Sequence, residues 1–186
     1  SLAGGAENRG LTLAFMRFEL RAAGYRAVEA YADRLLAAAD TATQDKKPSA
    51  ALEIPPALIM RAAARLIQDN ARPAAAIADL DRALALPSCA SSEQPKRSNC
   101  LFPKFRLRAH GLRGAALQRL AQPAATQAAT TAAGGAWISD WVVVAARARL
   151  ALDAAAPDAA KLAASIDTLS PGSANRLVLA ATAAAR

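Results

Sequence analysis

Aromatic residues make up only 4% of this chain, histidine occurs once, and cysteine occurs twice. One histidine and the absence of any Cys-x-x-Cys spacing exclude the usual patterns of metal ligands. The chain also lacks the motifs of a phosphate-binding loop, a serine hydrolase and a zinc protease. His110 stands on a basic stretch and is better explained as a structural histidine than as a catalytic one. We therefore expect no enzyme activity, no metal and no cofactor.

Sequence patterns of β-strands are also missing. Alanine, the strongest helix former, dominates the chain and is depleted from strands in general. The one β-branched cluster, WVVV from Trp141, runs directly into an arginine- and leucine-rich stretch of helical composition. The longest uncharged stretch, from Leu120 to Ser139, contains paired glycines, proline and polar residues, so we expect no membrane span. These features predict an all-α protein.

Prolines recur along the chain in one kind of context. Pro73, Pro123 and Pro157 lie among small residues in ARPAAA, AQPAAT and AAPDAA, and Pro87 and Pro171 follow Pro73 and Pro157 at the same distance. A recurring unit is typical of helical repeat arrays, in which each helix pair covers the apolar face of its neighbour. We predict one domain over 1–186, with helix pairs near 11–39, 55–87, 103–134 and 139–169 and a capping helix over 173–186.

The net charge of the whole chain is +8, and the positive charge is concentrated in one part of it. No acidic residue occurs from 94 to 139, and a block of one sign favours anionic partners, although an ordinary solvated surface has the same pattern. Nucleic-acid binding is an alternative function, but only Phe102 and Phe105 supply the stacking aromatics that such proteins use. The cations of this basic block are Lys96, Arg97, Lys104, Arg106, Arg108, Arg113 and Arg119.

The two cysteines, Cys89 and Cys100, stand at opposite ends of one polar connection between predicted helices. This placement predicts a disulfide, and a disulfide indicates an exported protein. Two unrelated reduced thiols are the alternative. We expect the protein in the periplasm or otherwise outside the cytosol.

The segment ARLIQDNARPAAAIADLDRALALP, residues 64–87, resembles a tetratricopeptide repeat. The segment LRGAALQRLAQPAA resembles part of another such repeat, with Gly114 as the small residue of its first helix. The resemblance implies a right-handed α-hairpin solenoid of about four helix pairs, and another alanine-rich α-hairpin solenoid is the alternative. The matching positions are Ala64, Ala76, Leu80 and Ala83 in the second pair and Ala148, Ala160 and Pro171 in the fourth.

The resemblance also implies a binding groove, because the first helices of tetratricopeptide pairs line a concave surface. An arginine-lined groove would hold an anionic peptide segment or an acidic polymer, since guanidinium groups bind carboxylates bidentately. Scattered surface arginines are the alternative interpretation. The resemblance places in the groove Arg61, Arg65 and Gln68 from the second pair, Arg108, Gly111, Ala115, Gln118 and Arg119 from the third, and Ala145 and Arg149 from the fourth.

These features together predict a non-enzymatic, protein-binding adaptor or scaffold of the bacterial cell envelope. The expected partner is another protein of an envelope or secretion complex, bound through an acidic segment. Repeat scaffolds of polysaccharide exporters resemble such a chain, so acidic polysaccharide is a second possible ligand. Periplasmic lytic transglycosylases also carry an alanine-rich, basic superhelical domain, and the chain is alternatively the non-catalytic superhelical part of a larger envelope enzyme.

Overall fold

The computed structural model of the chain describes residues 9–44, 54–89, 100–175 and 179. Within these ranges the chain is helical, and the β pairing there is limited to one isolated bridge between Ser88 and Leu101. The all-α fold class predicted from the alanine content is therefore confirmed.

Within each of the four pairs a short corner joins the two helices, whereas longer connections join the first pair to the second and the second pair to the third. A short helix between the third and fourth pairs was not predicted. The predicted cap over 173–186 lies mostly outside the described residues. The helices are α1 (Arg9–Arg21), α2 (Tyr25–Gln44), α3 (Ile54–Ile67), α4 (Pro73–Leu84), α5 (Pro103–Arg119), α6 (Pro123–Ala133), α7 (Ala136–Ser139), α8 (Trp141–Asp153) and α9 (Ala159–Leu169).

Helix starts follow from local chemistry. Pro73, Pro123 and Pro103 are the first residues of α4, α6 and α5, where the missing amide hydrogen costs no helical hydrogen bond. The side chain of Asp140 accepts a hydrogen bond from the Val142 amide at 3.1 Å and so caps α8. These starts explain why the proline pattern located the helices.

Three helix ends share one geometry. Ala23, Ala121 and Ala155 follow α1, α5 and α8 with φ of 61°, 53° and 50°, in the left-handed region. In each case the next residue donates its amide to a carbonyl five positions back, which is the Schellman termination of a helix. These three hydrogen bonds run from Gly24 to Glu19 at 2.7 Å, from Gln122 to Leu117 at 3.1 Å and from Ala156 to Ala151 at 2.8 Å. The corner between α3 and α4 is longer and does not share this geometry.

Helix α3 lies at the centre of the fold and packs against α1, α2, α4, α5 and α8. Its small residues Ala62, Ala63 and Ala64 are fully buried, which lets neighbouring helices approach closely. Large apolar residues fill the remaining space, including Leu58 and Leu66. The centre of the chain is thus a tightly packed core made largely of alanine.

Three small residues assigned to the groove are instead buried between helices. Ala115 and Ala145 have no exposed surface, and Gly111 is also buried. A Cβ atom placed on Gly111 would lie 2.8 Å and 2.9 Å from the two methyl groups of Val143. These residues let α5 approach α8, so their placement in an open groove was wrong.

Replacing Gly111 with alanine is expected to destabilise the protein by about 1–2 kcal/mol, because the crowding against Val143 outweighs the better helix propensity of alanine. Urea unfolding of Gly111→Ala, Val143→Ala and the double variant measures the coupling. In the double variant, alanine at position 143 leaves space for the Cβ atom of alanine at position 111. The double variant should therefore be more stable, by more than about 0.5 kcal/mol, than the sum of the two single effects predicts. Additive effects of the two changes would contradict the close contact.

The first hairpin contacts the residues that follow the last one. Asn175 donates its amide to the Leu20 carbonyl at 2.7 Å and accepts a hydrogen bond from the Tyr25 hydroxyl. Arg21 donates to the Ser170 hydroxyl at 3.1 Å. In an open solenoid each repeat contacts only its neighbours. These long-range bonds join parts of the chain that would not touch in an open solenoid. The predicted tetratricopeptide-like arrangement is therefore not confirmed.

Candidate ligand-binding site

Arg61 and Arg65 of α3 share one buried carboxylate. The Asp79 side chain, 6% exposed, accepts from Arg61 Nη2 at 2.6 Å and from Arg65 Nη1 at 2.6 Å. Arg61 also reaches Asp33 of α2 at 2.5 Å, and Arg65 reaches Glu29 of α2 at 3.2 Å. The two arginines therefore tie the first hairpin to the second through charge-assisted hydrogen bonds.

The carboxylates around Arg61 favour its charged form. Burial acts to lower the pKa of Arg61, but the hydrogen bonds to Asp79 and Asp33 outweigh it and raise the pKa. Arg72 adds a further cation by donating to Glu29. Acidic side chains of the protein itself thus neutralise the arginines predicted to meet a ligand.

Arg149, which the resemblance placed in the same groove as Arg65, is also paired internally. Its side chain is only 5% exposed and contacts Asp69 Oδ1 at 2.6 Å and Asp153 Oδ1 at 3.1 Å. Asp69 belongs to the corner between α3 and α4, so Arg149 joins the fourth hairpin to the second. Arg119 likewise contacts Asp153 at 3.3 Å.

The predicted groove residues are divided among separate cavities. Gln68 lines a polar cavity of about 600 Å³ at the corners of the first two hairpins. Gln118 and Arg119 line another, of about 400 Å³, beside Trp137 and Arg147. Arg108 lines a third. The structure therefore does not bring these side chains together along one surface.

Within the cavity of Gln118 and Arg119, Trp137 is held by other residues of the fold. The Arg147 guanidinium lies 4.2 Å from the Trp137 ring centroid and donates to the Trp137 carbonyl at 2.8 Å. Burial lowers the pKa of Arg147, while Asp158 acts to raise it. A Cβ atom on Gly114 would lie 3.2 Å from the ring of Trp137. The indole is therefore held within the fold and is not an open stacking surface.

The cavity that contains Arg108 has a different character, and we call it the cationic pocket. It encloses about 340 Å³ between α1, α3, α5 and α8, and none of the described residues that line it is acidic. Its cations are Arg17, Arg21, Lys104 and Arg108. Its apolar lining consists of Leu20, Pro56, Ile59, Met60, Phe105, Trp141 and Val142.

Two of these cations, Arg108 and Arg21, donate hydrogen bonds to neighbouring side chains, of which one is charged and the other neutral. Arg108 Nε donates to Asp140 Oδ2 at 2.8 Å, so the carboxylate that caps α8 also fixes the guanidinium. Arg21 donates to the neutral hydroxyl of Ser170, and it makes no ion pair with a carboxylate of the described residues. Arg17 and Lys104 are exposed. The pocket consequently combines a net positive rim with an apolar and aromatic lining.

Sequence reasoning identified only part of this pocket. Arg108 was a predicted site residue and Lys104 belonged to the basic block, but Arg17, Arg21 and Trp141 were missed. They come from helices far apart in the chain, and only packing brings them together. The concentration of positive charge on α5 was the one signal in the sequence that pointed here.

Most described cations of the basic block are engaged within the fold. Arg106 donates to the carbonyls of Leu84 and Leu86 and so stabilises the end of α4. Arg113 contacts Asp81 at 2.6 Å. Burial, Arg106 and Arg113 lower the pKa of His110, which is therefore neutral near pH 7. Lys96 and Arg97 lie outside the described residues.

The predicted disulfide is present. The sulfur atoms of Cys89 and Cys100 are 1.96 Å apart, and their Cα atoms are 5.1 Å apart. The Cys89 amide donates to the Leu101 carbonyl at 3.2 Å, so backbone bonding and the disulfide close the same connection. Across the described ranges no helix is both long and apolar enough to cross a membrane, and no cluster of metal-ligating side chains occurs.

Comparison of the chain with protein-family models finds no match, and comparisons with curated proteins and with solved structures find none either.

Proposed function

We propose that this chain is a non-enzymatic adaptor that binds an acidic segment of a partner protein in the cationic pocket. The observation that carries the proposal is a rim of four cations around an apolar lining, with no acidic residue among the described residues that line it. One of the four, Arg108, is paired with Asp140 beside the pocket. Elsewhere the predicted arginines are bound by the carboxylates of the protein, as Arg61 and Arg65 are by Asp79. An external carboxylate would have to displace those partners. At the rim of the cationic pocket, Arg17, Arg21 and Lys104 make no ion pair with a carboxylate among the described residues.

The chemistry of the pocket describes the segment that fits it. Arginine and lysine side chains form charge-assisted hydrogen bonds with carboxylates. Phe105, Trp141 and Met60 provide an apolar surface, and ligand pockets commonly combine such a surface with a few well-placed polar groups. The preferred ligand is therefore a short segment in which acidic and apolar residues alternate. An acidic polysaccharide would satisfy the cations but not the apolar lining.

The disulfide supports a location outside the reducing cytosol, because such bonds persist in oxidising compartments. A periplasmic or otherwise exported adaptor of an envelope or secretion complex fits this chemistry. A role as the non-catalytic part of a larger envelope enzyme would use the same pocket in the same way.

A pair of synthetic peptides tests the proposal. A fluorescent peptide that alternates glutamate and phenylalanine should bind, and its glutamine and phenylalanine counterpart should bind at least about tenfold more weakly, because it lacks the charges that the rim recognises. Arg17→Glu and Lys104→Glu should each weaken binding of the acidic peptide by roughly tenfold. Fluorescence anisotropy measures the dissociation constants.

Lys161→Glu is the matched control, since it makes the same charge change at an exposed position on α9, away from the cationic pocket. Its affinity for the acidic peptide should stay within about twofold of the unchanged protein, because exposed charges beyond the Debye length are largely screened. Equal binding of both peptides, or equal losses in the pocket variants and the control, would contradict the proposal.

Nucleic-acid binding by the basic block has less support. Arg106, Arg108, Arg113 and Arg119 are all engaged with carbonyls or carboxylates of the fold. A phosphate-binding surface needs cations that release counterions when it binds, and such binding falls steeply with salt. Generic duplex DNA serves as a competitor in the peptide assay, and strong, salt-sensitive competition would favour this alternative.

A further inference from the structure

We propose that the outer face of α1 attaches the protein to an anionic lipid surface. This function goes beyond the binding of a partner segment. Its apolar row lies outside the cationic pocket, and Arg17 and Arg21 border both surfaces.

Helix α1 is apolar on two opposite faces. Met16 and Leu20 face the core and are almost completely buried. Leu11, Phe15 and Phe18 lie on the other side at helical spacing, with exposures of 49%, 46% and 65%. A contiguous row of large, exposed apolar side chains is uncommon on a protein that acts alone, and such a row marks an interaction surface. The row formed by Leu11, Phe15 and Phe18, which we call the α1 ridge, is therefore a docking surface.

Cations border the α1 ridge on both sides. The ring of Phe15 stacks on Tyr31 with centroids 6.5 Å apart, and the guanidinium of Arg34 lies 6.0 Å from the centroid of Tyr31. Arg17 and Arg21 extend from the opposite flank of α1, toward the cationic pocket. An apolar row between positive charges is complementary to a layer with negatively charged groups at its surface and apolar groups beneath them.

That complementarity identifies the occupant as lipid. Interfacial helices bury Phe and Leu side chains at the boundary of the acyl chains, while arginine and lysine contact anionic headgroups. The long apolar stems of arginine allow the charged group to reach the headgroups from the helix flank. A second copy would fit less well, since the flanking arginines of the two copies and their net charge of +8 each would repel.

Co-sedimentation with lipid vesicles tests the proposal. The protein should bind vesicles that contain phosphatidylglycerol and should not bind vesicles of phosphatidylcholine alone. Phe18→Ser should weaken the partition into anionic vesicles by about tenfold, because it removes the most exposed ring of the α1 ridge. Raising the salt to about 0.5 M should also release the protein.

The controls separate this proposal from general hydrophobic or electrostatic attraction. Ile138→Ser removes an equally exposed apolar residue, 71% exposed, on α7 and should leave vesicle binding unchanged. Phe18→Ser should still bind the acidic peptide, so loss of vesicle binding alone tests the α1 ridge and not the adaptor function. Circular dichroism checks that both variants fold.

Three results would overturn the proposal. The first is no binding to phosphatidylglycerol vesicles. The second is an equal loss of binding in Phe18→Ser and Ile138→Ser, which would show that no specific face is used. The third is a dimer in light scattering that Phe18→Ser dissociates, which would make the α1 ridge an interface between copies.

Discussion

Replacing Asp79 with alanine is expected to lower the free energy of unfolding by about 3–5 kcal/mol. The carboxylate is buried and accepts from both Arg61 and Arg65. Its removal leaves two largely buried guanidinium groups facing each other without the carboxylate that they share. Each keeps one other acidic partner, Asp33 for Arg61 and Glu29 for Arg65. Because a domain of this size is stable by only about 5–15 kcal/mol, this one change should remove a large part of its stability.

Chemical denaturation in urea, followed by circular dichroism, measures the effect. Asp81→Ala is the control on the same helix: its pair with Arg113 is at 2.6 Å, but the Asp81 side chain is 51% exposed. Water screens such a pair, so the cost should not exceed about 1 kcal/mol. If the two variants were destabilised equally, the buried ion pairs that join α2, α3 and α4 would contribute no more to stability than an exposed pair, and the prediction would be wrong.

Reduction of the disulfide is expected to cost about 3 kcal/mol of stability. Cys89 and Cys100 are 11 positions apart in the sequence, and opening a loop of this size restores conformational freedom to the unfolded chain. The same bond holds the connection between the second and third hairpins. The free energy of unfolding in urea, measured with and without a reducing agent, should show the difference.

A variant with both cysteines changed to serine is the matched control. It should have the stability of the reduced protein and should not respond to reductant, since it has no bond to break. Thiol titration of the unfolded protein should detect no free thiol before reduction and two after it. Free thiols in protein purified under oxidising conditions would contradict the disulfide and, with it, the argument for an exported protein.

The sequence predicted the helices well because their limits depend on local chemistry. Pro73, Pro103 and Pro123 can start helices wherever they stand, since their preference does not require a neighbour in space. Asp140 caps α8 through the amide of a residue two positions away. The disulfide was predictable for a similar reason, because Cys89 and Cys100 bracket one connection. The short helix α7 was missed because paired glycines favour a turn.

The site was harder to predict because its chemistry is made by packing. The spacing of Arg61 and Arg65 placed both on one face of α3, as expected, but could not show that Asp79 from α4 reaches between them. In the same way, the resemblance placed Gly111 in the groove, although the methyl groups of Val143 lie against it. An arginine can bind a ligand readily only when its guanidinium group is not already paired with a carboxylate from another helix. Which arginines are paired in this way depends on the tertiary structure.

The contact between Asn175 and the end of α1 has a consequence for how fast the chain folds. The Leu20 carbonyl and the Asn175 amide are 155 residues apart in sequence, and Tyr25 and Asn175 are 150 apart. Bringing together such distant segments costs loop-closure entropy before it yields any bond, and distant contacts slow folding relative to local ones. Individual hairpins can therefore form early, while the joining of the two ends is the late step that completes the native protein.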